Sequence, residues 1–238
     1  MLELKNISFQ AEDEKEILKD VSLKIDDKIV VITGPNGGGK STLAKVIAGI
    51  VTPTGGQILL DGEDITGYSV TERANAGISL AFQQPVRFKG LTVRDLITIA
   101  AGKELNVSEA CSYLSEVGLC AKDYIDRELN ASLSGGEIKR IEIATILARG
   151  SKFSIFDEPE AGIDLWSFQS LIRVFEKMQK EYKGTILIIS HQERILDIAD
   201  KIIYIKDGMV EQYGPKDEIL KTLINAAQPG CDVLMQKF

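Results

Sequence analysis

The stretch Gly34-Pro-Asn-Gly-Gly-Gly-Lys-Ser41 decides the fold, because it follows the apolar run IVVIT at 29–33 and leads into the helix-like KSTLAKVIAGI at 40–50. The spacing fits the pattern GxxxxGK[ST] in the strand-then-helix context that the pattern requires. Its glycines let backbone N–H groups converge on phosphate oxygens, and the positive end of the helix dipole adds to the attraction. A plain glycine-rich turn would leave Lys40 and Ser41 at the helix start unexplained. The stretch therefore predicts a phosphate-binding loop.

Two acidic residues follow a second apolar run, Phe153-Ser-Ile-Phe-Asp-Glu-Pro159. Acids at the carboxyl edge of a parallel sheet face the crevice in which ligands of such folds bind. We predict that Asp157 holds a Mg²⁺ ion and that Glu158 orients and deprotonates an attacking water. A solvated loop would explain Asp-Glu after an isolated strand, but the phosphate loop in the same chain favours the catalytic interpretation.

Short apolar strands alternate with helical patterns along most of the chain. Strands are predicted at 2–9, 21–25, 29–33, 78–82, 153–156, 185–190 and 201–205. A further short strand, in a hairpin-like pattern, is predicted between Gly55-Gly56 and Asp61-Gly62. Helices are predicted at 93–102, 108–118, 135–150, 165–182 and 193–200. The first strand alternates apolar and polar residues as an edge strand does. The order of elements indicates an α/β fold with a mostly parallel, buried sheet and a helical insertion.

The chain length suits one large α/β domain. No proline-, glycine- or serine-rich linker divides the 238 residues, which are 44% hydrophobic and 26% charged, as in soluble folded proteins. We expect a single domain over 1–238. Its catalytic lobe is predicted at about 1–83 and 151–238, and its helical lobe at about 84–150.

Charge, apolar runs and cysteines narrow the class of protein. With 28 basic and 35 acidic residues, the formal net charge is −7, which disfavours broad contact with nucleic acid or anionic lipid. No run approaches the roughly 18 consecutive apolar residues of a membrane span. Cys111, Cys120 and Cys231 lack metal-like spacing, and their odd number argues against a disulfide framework. We expect a cytoplasmic protein that neither inserts into membranes nor binds nucleic acid.

The stretch Leu133-Ser-Gly-Gly-Glu137 opens another predicted helix, EIKRIEIATIL. Ser134 is a natural N-cap, and the two glycines after it leave N–H groups free at the helix start. This is a second helix end that suits an anion. One terminal phosphate does not need two helix ends from a single crowded fold, so the second end calls for a different explanation.

LSGGE, placed between the phosphate loop and the Asp-Glu strand, closely resembles the signature of ABC-type ATPases. Other motifs of that family match in order: Phe82-Gln83 as the Q-loop, 161–164 as the D-loop and Ser190-His191 as the H-loop. The resemblance runs from Leu2 to about Leu220 and implies a P-loop NTPase fold of ABC type with an antiparallel N-terminal β subdomain. It also implies that ATP and Mg²⁺ are enclosed between two copies of the chain, each signature serving its partner's nucleotide.

The family implies a role for each matching residue. Glu158, His191 and Gln83 would be catalytic, with His191, the only histidine of the chain, touching the γ-phosphate. Ser41, Gln83 and Asp157 would hold the metal. The residues expected to contact nucleotide are Gly34, Pro35, Asn36, Gly37, Gly38, Gly39, Lys40, Ser41, Thr42, Ser134, Gly135, Gly136 and Asp164.

The partner that such an ATPase drives is less clearly specified. Ala11 occupies the position of the aromatic residue on which the family often stacks adenine. In addition, the amino-acid sequences that follow Gln83, Ser134 and His191 resemble those of the Suf-type iron–sulfur cluster assembly ATPase. That resemblance implies soluble scaffold subunits as partners. The alternative is the ATPase of a membrane transporter, with a permease as partner. A regulatory relative without hydrolysis is disfavoured because the catalytic residues are present, and a DNA-repair ATPase because the chain is acidic and lacks a long coiled-coil insertion.

Overall fold

The computed structural model describes residues 1–11, 14–130, 132–181 and 183–226. Its strands are β1 (Leu2–Gln10), β2 (Glu16–Ile25), β3 (Ile29–Thr33), β4 (Gly55–Leu60), β5 (Glu63–Asp64), β6 (Ile78–Ala81), β7 (Phe153–Asp157), β8 (Thr185–Ile189), β9 (Lys201–Lys206) and β10 (Met209–Pro215). Its helices are α1 (Lys40–Ile47), α2 (Val70–Ala76), α3 (Val93–Ala101), α4 (Val107–Glu116), α5 (Ala121–Tyr124), α6 (Gly135–Arg149), α7 (Leu165–Glu181), α8 (Glu193–Asp197) and α9 (Lys216–Ala226).

The strands form two sheets. The larger has the order β10-β9-β3-β8-β7-β6, and all its neighbouring pairs are parallel except β9 and β10. The smaller sheet, β2-β1-β4-β5, is antiparallel. The predicted fold class, α/β with a mostly parallel sheet and an antiparallel N-terminal β unit, is confirmed. The expectation that the first strand is an edge strand is wrong, because β1 lies between β2 and β4. Its alternating pattern reports one more deeply buried face rather than a free edge.

Strand β3 carries the phosphate loop and is buried on both faces. Ile29 and Val31 pack into one hydrophobic cluster, which includes residues of α6 and α7, whereas Val30 and Ile32 pack into a second cluster with α1 and the smaller sheet. Successive side chains of a strand point to opposite faces, so an uninterrupted apolar run is what such a strand requires. The loop that follows β3 therefore starts from a rigid support.

Five elements were not predicted from the sequence: α2, α5, α9, β5 and β10. Helix α2 is only seven residues long and mostly polar, but the Ser69–Glu72 capping box starts it and Arg73 anchors it to the interior. Helix α5 has four residues, too few for a periodic pattern. Strand β10 alternates buried and exposed positions only weakly, and its pairing with β9 defines it. For α2 and β10, tertiary contacts supply what the local pattern lacks.

Helices α3 to α6 lie between β6 and β7 in the chain, where the helical insertion was predicted. Within the described ranges, no helix has both the length and the apolarity that a bilayer crossing requires. Cys111 and Cys120 are free thiols, and Cys120 is exposed. Cys231 and the rest of the C-terminal segment from 227 onward lie outside the described residues.

Candidate functional site

The loop between β3 and α1 has the geometry of a phosphate cradle. Gly39, at φ 100°, lies immediately before α1, and Lys40 is the first residue of the helix. The Lys40 ammonium is folded over the loop, donating to the carbonyl oxygens of Gly34 at 2.7 Å and Pro35 at 2.9 Å. Burial lowers the pKa of Lys40, while the carboxylates of Glu158 and Asp157 raise it. A cation and a helix N-terminus thus converge on one small volume.

Gly34 is required by a close approach of backbone to backbone. Its φ is 135°, and a Cβ at this position would lie 2.0 Å from the carbonyl oxygen of Ile205 on β9. Because that oxygen belongs to β9, which is paired with β10 on one side and β3 on the other, it cannot move aside. The first glycine of the loop therefore serves packing against β9 as well as turn formation.

Ser41 and Asp157, two of the three predicted metal ligands with Gln83, lie in contact with each other. The Ser41 hydroxyl donates to Asp157 Oδ1 at 3.1 Å, joining the start of α1 to the end of β7. Burial raises the pKa of the Asp157 carboxyl, and the hydrogen bond from Ser41 partly offsets that effect. A hydroxyl and a carboxylate are hard oxygen donors, which suit Mg²⁺. Among the described residues, no group of three or more His, Cys, Asp or Glu side chains is placed to hold a metal ion by itself.

Glu158 is held in an unusual backbone conformation. Its φ is 47°, a left-handed value that is uncommon for a residue with a side chain. Its N–H donates to the carbonyl oxygen of Ile189 at 3.0 Å, and its own carbonyl oxygen accepts from the Lys139 ammonium at 2.7 Å. The side chain accepts from Gln83 Nε2 at 2.6 Å. The structure thus brings Gln83 and Glu158 together and fixes the backbone of Glu158 from both sides.

His191 lies at the end of β8 and faces the same cleft as Glu158. The preceding Ser190 is fully buried, and its hydroxyl donates to Glu160 Oε1 at 2.5 Å while accepting from the N–H of Gln192 at 3.0 Å. Burial raises the pKa of Glu160. Hydrogen bonds of Ser190 therefore fix the backbone directly before His191, while His191 itself is exposed.

These groups line an open cleft of about 660 Å³. Its walls are Lys15, Glu16, Ile17, Lys19, Asn36, Gly37, Gly39, Lys40, Ser41, Thr42, Gln83, Glu158, His191, Asp207 and Gly208. Among the described residues, no Phe, Tyr or Trp lines the cleft. Phe9 is partly buried against the hydrophobic core and Ala11 carries no ring. A base placed here would meet charged and aliphatic side chains from the start of β2.

The signature residues lie elsewhere. Ser134 caps α6: its Oγ accepts from the N–H of Glu137 at 3.2 Å, and Glu137 Oε2 accepts from the N–H of Ser134 at 2.7 Å. Ser134 and Gly135 are exposed and do not line the cleft. Asp164, the D-loop acid, accepts from the N–H of Ser167 at 3.0 Å at the start of α7. The capped end of α6 is therefore not part of the lining of the cleft of the same chain.

Three polar residues of this region were missed at the level of sequence: Lys139, Glu142 and Glu160. Lys139 and Glu142 lie three residues apart on the buried side of α6, and burial lowers the pKa of Lys139 and raises that of Glu142 to about 7. The sequence does show that two charged residues interrupt the apolar positions of this helix. It does not show which groups these residues contact.

Comparison with known proteins agrees with this geometry. The family model described as ABC transporter matches residues 18–161. An uncharacterized ABC transporter ATP-binding protein of Methanocaldococcus jannaschii is 39% identical over 86% of this chain and 85% of its own length. The protein belongs to the ABC transporter ATP-binding family. It is accordingly an ATPase, with the P-loop fold of that family.

Two further similarities bear on this ABC ATPase. A probable ATP-dependent transporter of Pyropia yezoensis is 35% identical over 90% of this chain and 91% of its own length. The fold matches the dimeric structure of an ATP-binding cassette in a post-hydrolysis state bound to ADP and Pi, with a TM-score of 0.81 and 26% identity. That match covers 91% of this chain and 99% of the other.

Proposed function

We propose that this ABC ATPase works as a homodimer that encloses two ATP molecules, each between the phosphate loop of one subunit and the signature of the other. The observation that carries the proposal is the position of Ser134 and Gly135, exposed at a helix start that does not line its own cleft. Such a helix end attracts an anion. The phosphate of a second copy's nucleotide is the anion that this geometry suits.

Within each site the residues divide the work. The loop 34–39 and Lys40 bind the phosphates, with Ser41 and Asp157 holding Mg²⁺, which neutralises phosphate charge when bound. Glu158 accepts a proton from the attacking water, and Gln83 and His191 orient the reacting groups. Pro35 and Asn36 complete the cradle, and Thr42 follows it on α1.

Dimer formation is tested most directly at Gly135. A Cβ at this position meets no atom within 4 Å, and an acid in the first turn of α6 favours the helix. We expect Gly135→Asp to fold and to bind ATP, but to lose ATP-dependent dimerisation and at least about 90% of turnover, because its charge opposes the partner's phosphate. Light scattering with and without ATP and Mg²⁺, together with phosphate release, measures both.

Gly67→Asp is the matched control, since Gly67 is exposed and its Cβ would also meet no atom within 4 Å. It should behave as the wild type. Normal dimerisation of Gly135→Asp would contradict the proposed arrangement. Loss of dimerisation in both variants would indicate a general effect of added charge, and that result would also count against the proposed arrangement.

For the partner, we propose the permease of a membrane transporter, as the similarity to ABC transporter ATP-binding proteins suggests. In the proposed two-lobe arrangement, a groove of about 320 Å³ lies between the catalytic lobe and the helical lobe. It is lined by Ala48, Ile50, Val70, Ala74, Ile78, Ser79, Leu80, Phe82, Leu96, Ile99, Ala100, Thr145, Ile146 and Arg149. Ile50, Val70 and Ile99 are 41%, 49% and 63% exposed. A cluster of exposed large apolar residues around a groove marks a binding surface, here suited to an apolar helix of the permease.

Ile99→Asp tests the groove. We expect at least about tenfold weaker recovery of the partner from native membranes, because a charge would be buried at the contact, with unchanged ATPase activity of the isolated chain. Val107→Asp is the control: Val107 is 51% exposed on α4 and does not line the groove. Equal recovery of partner by the two variants would exclude this groove as the docking surface.

A second candidate partner is the soluble scaffold of a Suf-type iron–sulfur assembly system. The lack of a Phe, Tyr or Trp among the described lining residues of the cleft favours it, together with the resemblance in the segments after Gln83, Ser134 and His191. Purification of the tagged chain from its native cell separates the two. Recovery of an integral membrane protein supports transport, and recovery of soluble proteins that carry iron and sulfide supports the scaffold.

A further inference from the structure

Glu142 lies on the signature helix but contacts the segment that carries Gln83. Its Oε1 accepts a hydrogen bond from the backbone N–H of Phe82 at 3.1 Å. Phe82 follows the last residue of β6 and directly precedes Gln83. This one carboxyl group therefore joins α6 to the root of the Gln83 segment, two turns after the capped end of the helix.

The contact continues to Glu158. Gln83 Nε2 donates to Glu158 Oε2 at 2.6 Å, and Lys139, three residues before Glu142, donates to the Glu158 carbonyl at 2.7 Å. Residues three apart share one side of a helix. Helix α6 thus contacts the proposed base of the reaction by two routes. One runs directly to its backbone, and the other runs through Phe82 and Gln83 to its carboxylate.

Burying the Glu142 carboxyl group costs folding free energy, so its presence here calls for a contact that only an acceptor can make. Burial raises the pKa of Glu142 to about 7, although the Phe82 N–H and the Lys139 ammonium both favour its charged form. A small apolar residue would pack at this helix position without that cost. The acid supplies what an apolar residue lacks, an acceptor for the Phe82 N–H.

We propose that Glu142 is a positioning residue, which transmits movement of the signature helix through the backbone of Phe82 to Gln83 and so to Glu158. The inference rests on the proposed function, since contact of Ser134 with the partner's nucleotide would move α6. A helix is stiff along its axis, so displacement of its first turn carries Glu142 with it. Without the Glu142 bond, the route through Phe82 is lost, and only the Lys139 bond to the Glu158 carbonyl still joins α6 to this part of the site.

Two substitutions test this role. Glu142→Ala removes the acceptor, and Glu142→Gln keeps an oxygen at the same place. We expect Glu142→Ala to lower kcat at least about tenfold with KM for ATP changed less than about twofold, and Glu142→Gln to stay within about threefold of the wild type. In a Glu158→Gln background, Glu142→Ala should still form the ATP-dependent dimer. Asp126→Asn, in an exposed ion pair with Arg94, is the matched acid-to-amide control and should have no effect.

An unchanged kcat in Glu142→Ala would overturn the positioning role. So would a parallel loss of kcat and ATP affinity with a lower melting temperature in both Glu142 variants, because that is the result of a merely structural residue. Measurements on the wild-type chain distinguish failure of the Glu142 proposal from failure of the proposed function. If the unmodified chain neither turns over ATP nor dimerises with it, the proposed function fails before Glu142 is considered.

Discussion

Glu158→Gln is expected to lower ATP turnover at least about 100-fold, because general base catalysis contributes about 10² to 10⁴ and the amide cannot accept the proton. The variant is isosteric and can still accept the hydrogen bond from Gln83, so ATP binding should persist. Enclosed ATP that is not hydrolysed should keep two subunits together. Phosphate release gives the rate, and size-exclusion chromatography with light scattering gives the dimer.

The matched control is Glu116→Gln, an acid that pairs with Lys177 on the surface of the helical segment. It should hydrolyse ATP as the wild type does and show no stable dimer. Turnover of Glu158→Gln within about threefold of the wild type would remove Glu158 from the role of base. A strictly monomeric Glu158→Gln in ATP and Mg²⁺ would count against the enclosed nucleotide.

Arg73→Met is expected to have the largest effect on stability, about 3–5 kcal/mol, because buried acceptors lose their donors. Arg73 is 1% exposed. Its Nη1 donates to the carbonyls of Val46 at 2.7 Å and Ile47 at 2.9 Å, which end α1, and its Nη2 donates to Thr66 at 2.8 Å. The guanidinium thus satisfies the last carbonyls of the helix whose first turn forms the phosphate site.

The loss should lower the melting temperature by about 10 °C, given about 2–4 °C per kcal/mol for a chain of this size. Arg73→Lys should recover little, since one ammonium cannot reproduce the planar fork of donors. Arg194→Met, at an exposed position of α8, is the control and should melt as the wild type does. A melting temperature of Arg73→Met equal to that control would refute the anchoring role.

Prediction from sequence succeeded where the information is local. The run 29–41 contains a strand, a glycine-rich turn and a helix start within one short segment, so its fold follows from apolar pattern and backbone freedom. Ser134 and Glu137 make both hydrogen bonds of a capping box within four residues. Such elements need no distant partner, and the structure has them within a few residues of the predicted bounds.

Prediction failed where a residue acquires its role from a distant contact. Lys139 and Glu142 were just two charges on a helix until their partners, the Glu158 carbonyl and the Phe82 N–H, were in place. Arg73 belongs to a short polar helix whose existence depends on burying that side chain. The smaller sheet shows the same limit, since the alternation of β1 specifies one buried face but not the neighbour on each edge.

By itself the sequence determined which chemistry the chain carries: a phosphate loop, a pair of acids after a buried strand, and a capped helix start in the order of an ABC ATPase. Only the tertiary structure decided which of these meet. It brings Gln83 to Glu158 and Ser41 to Asp157, but it does not place Ser134 in the lining of the cleft. The reason is physical: turns, caps and periodicity act over a few residues. The distance between sites is set instead by how strands and helices pack across the whole core.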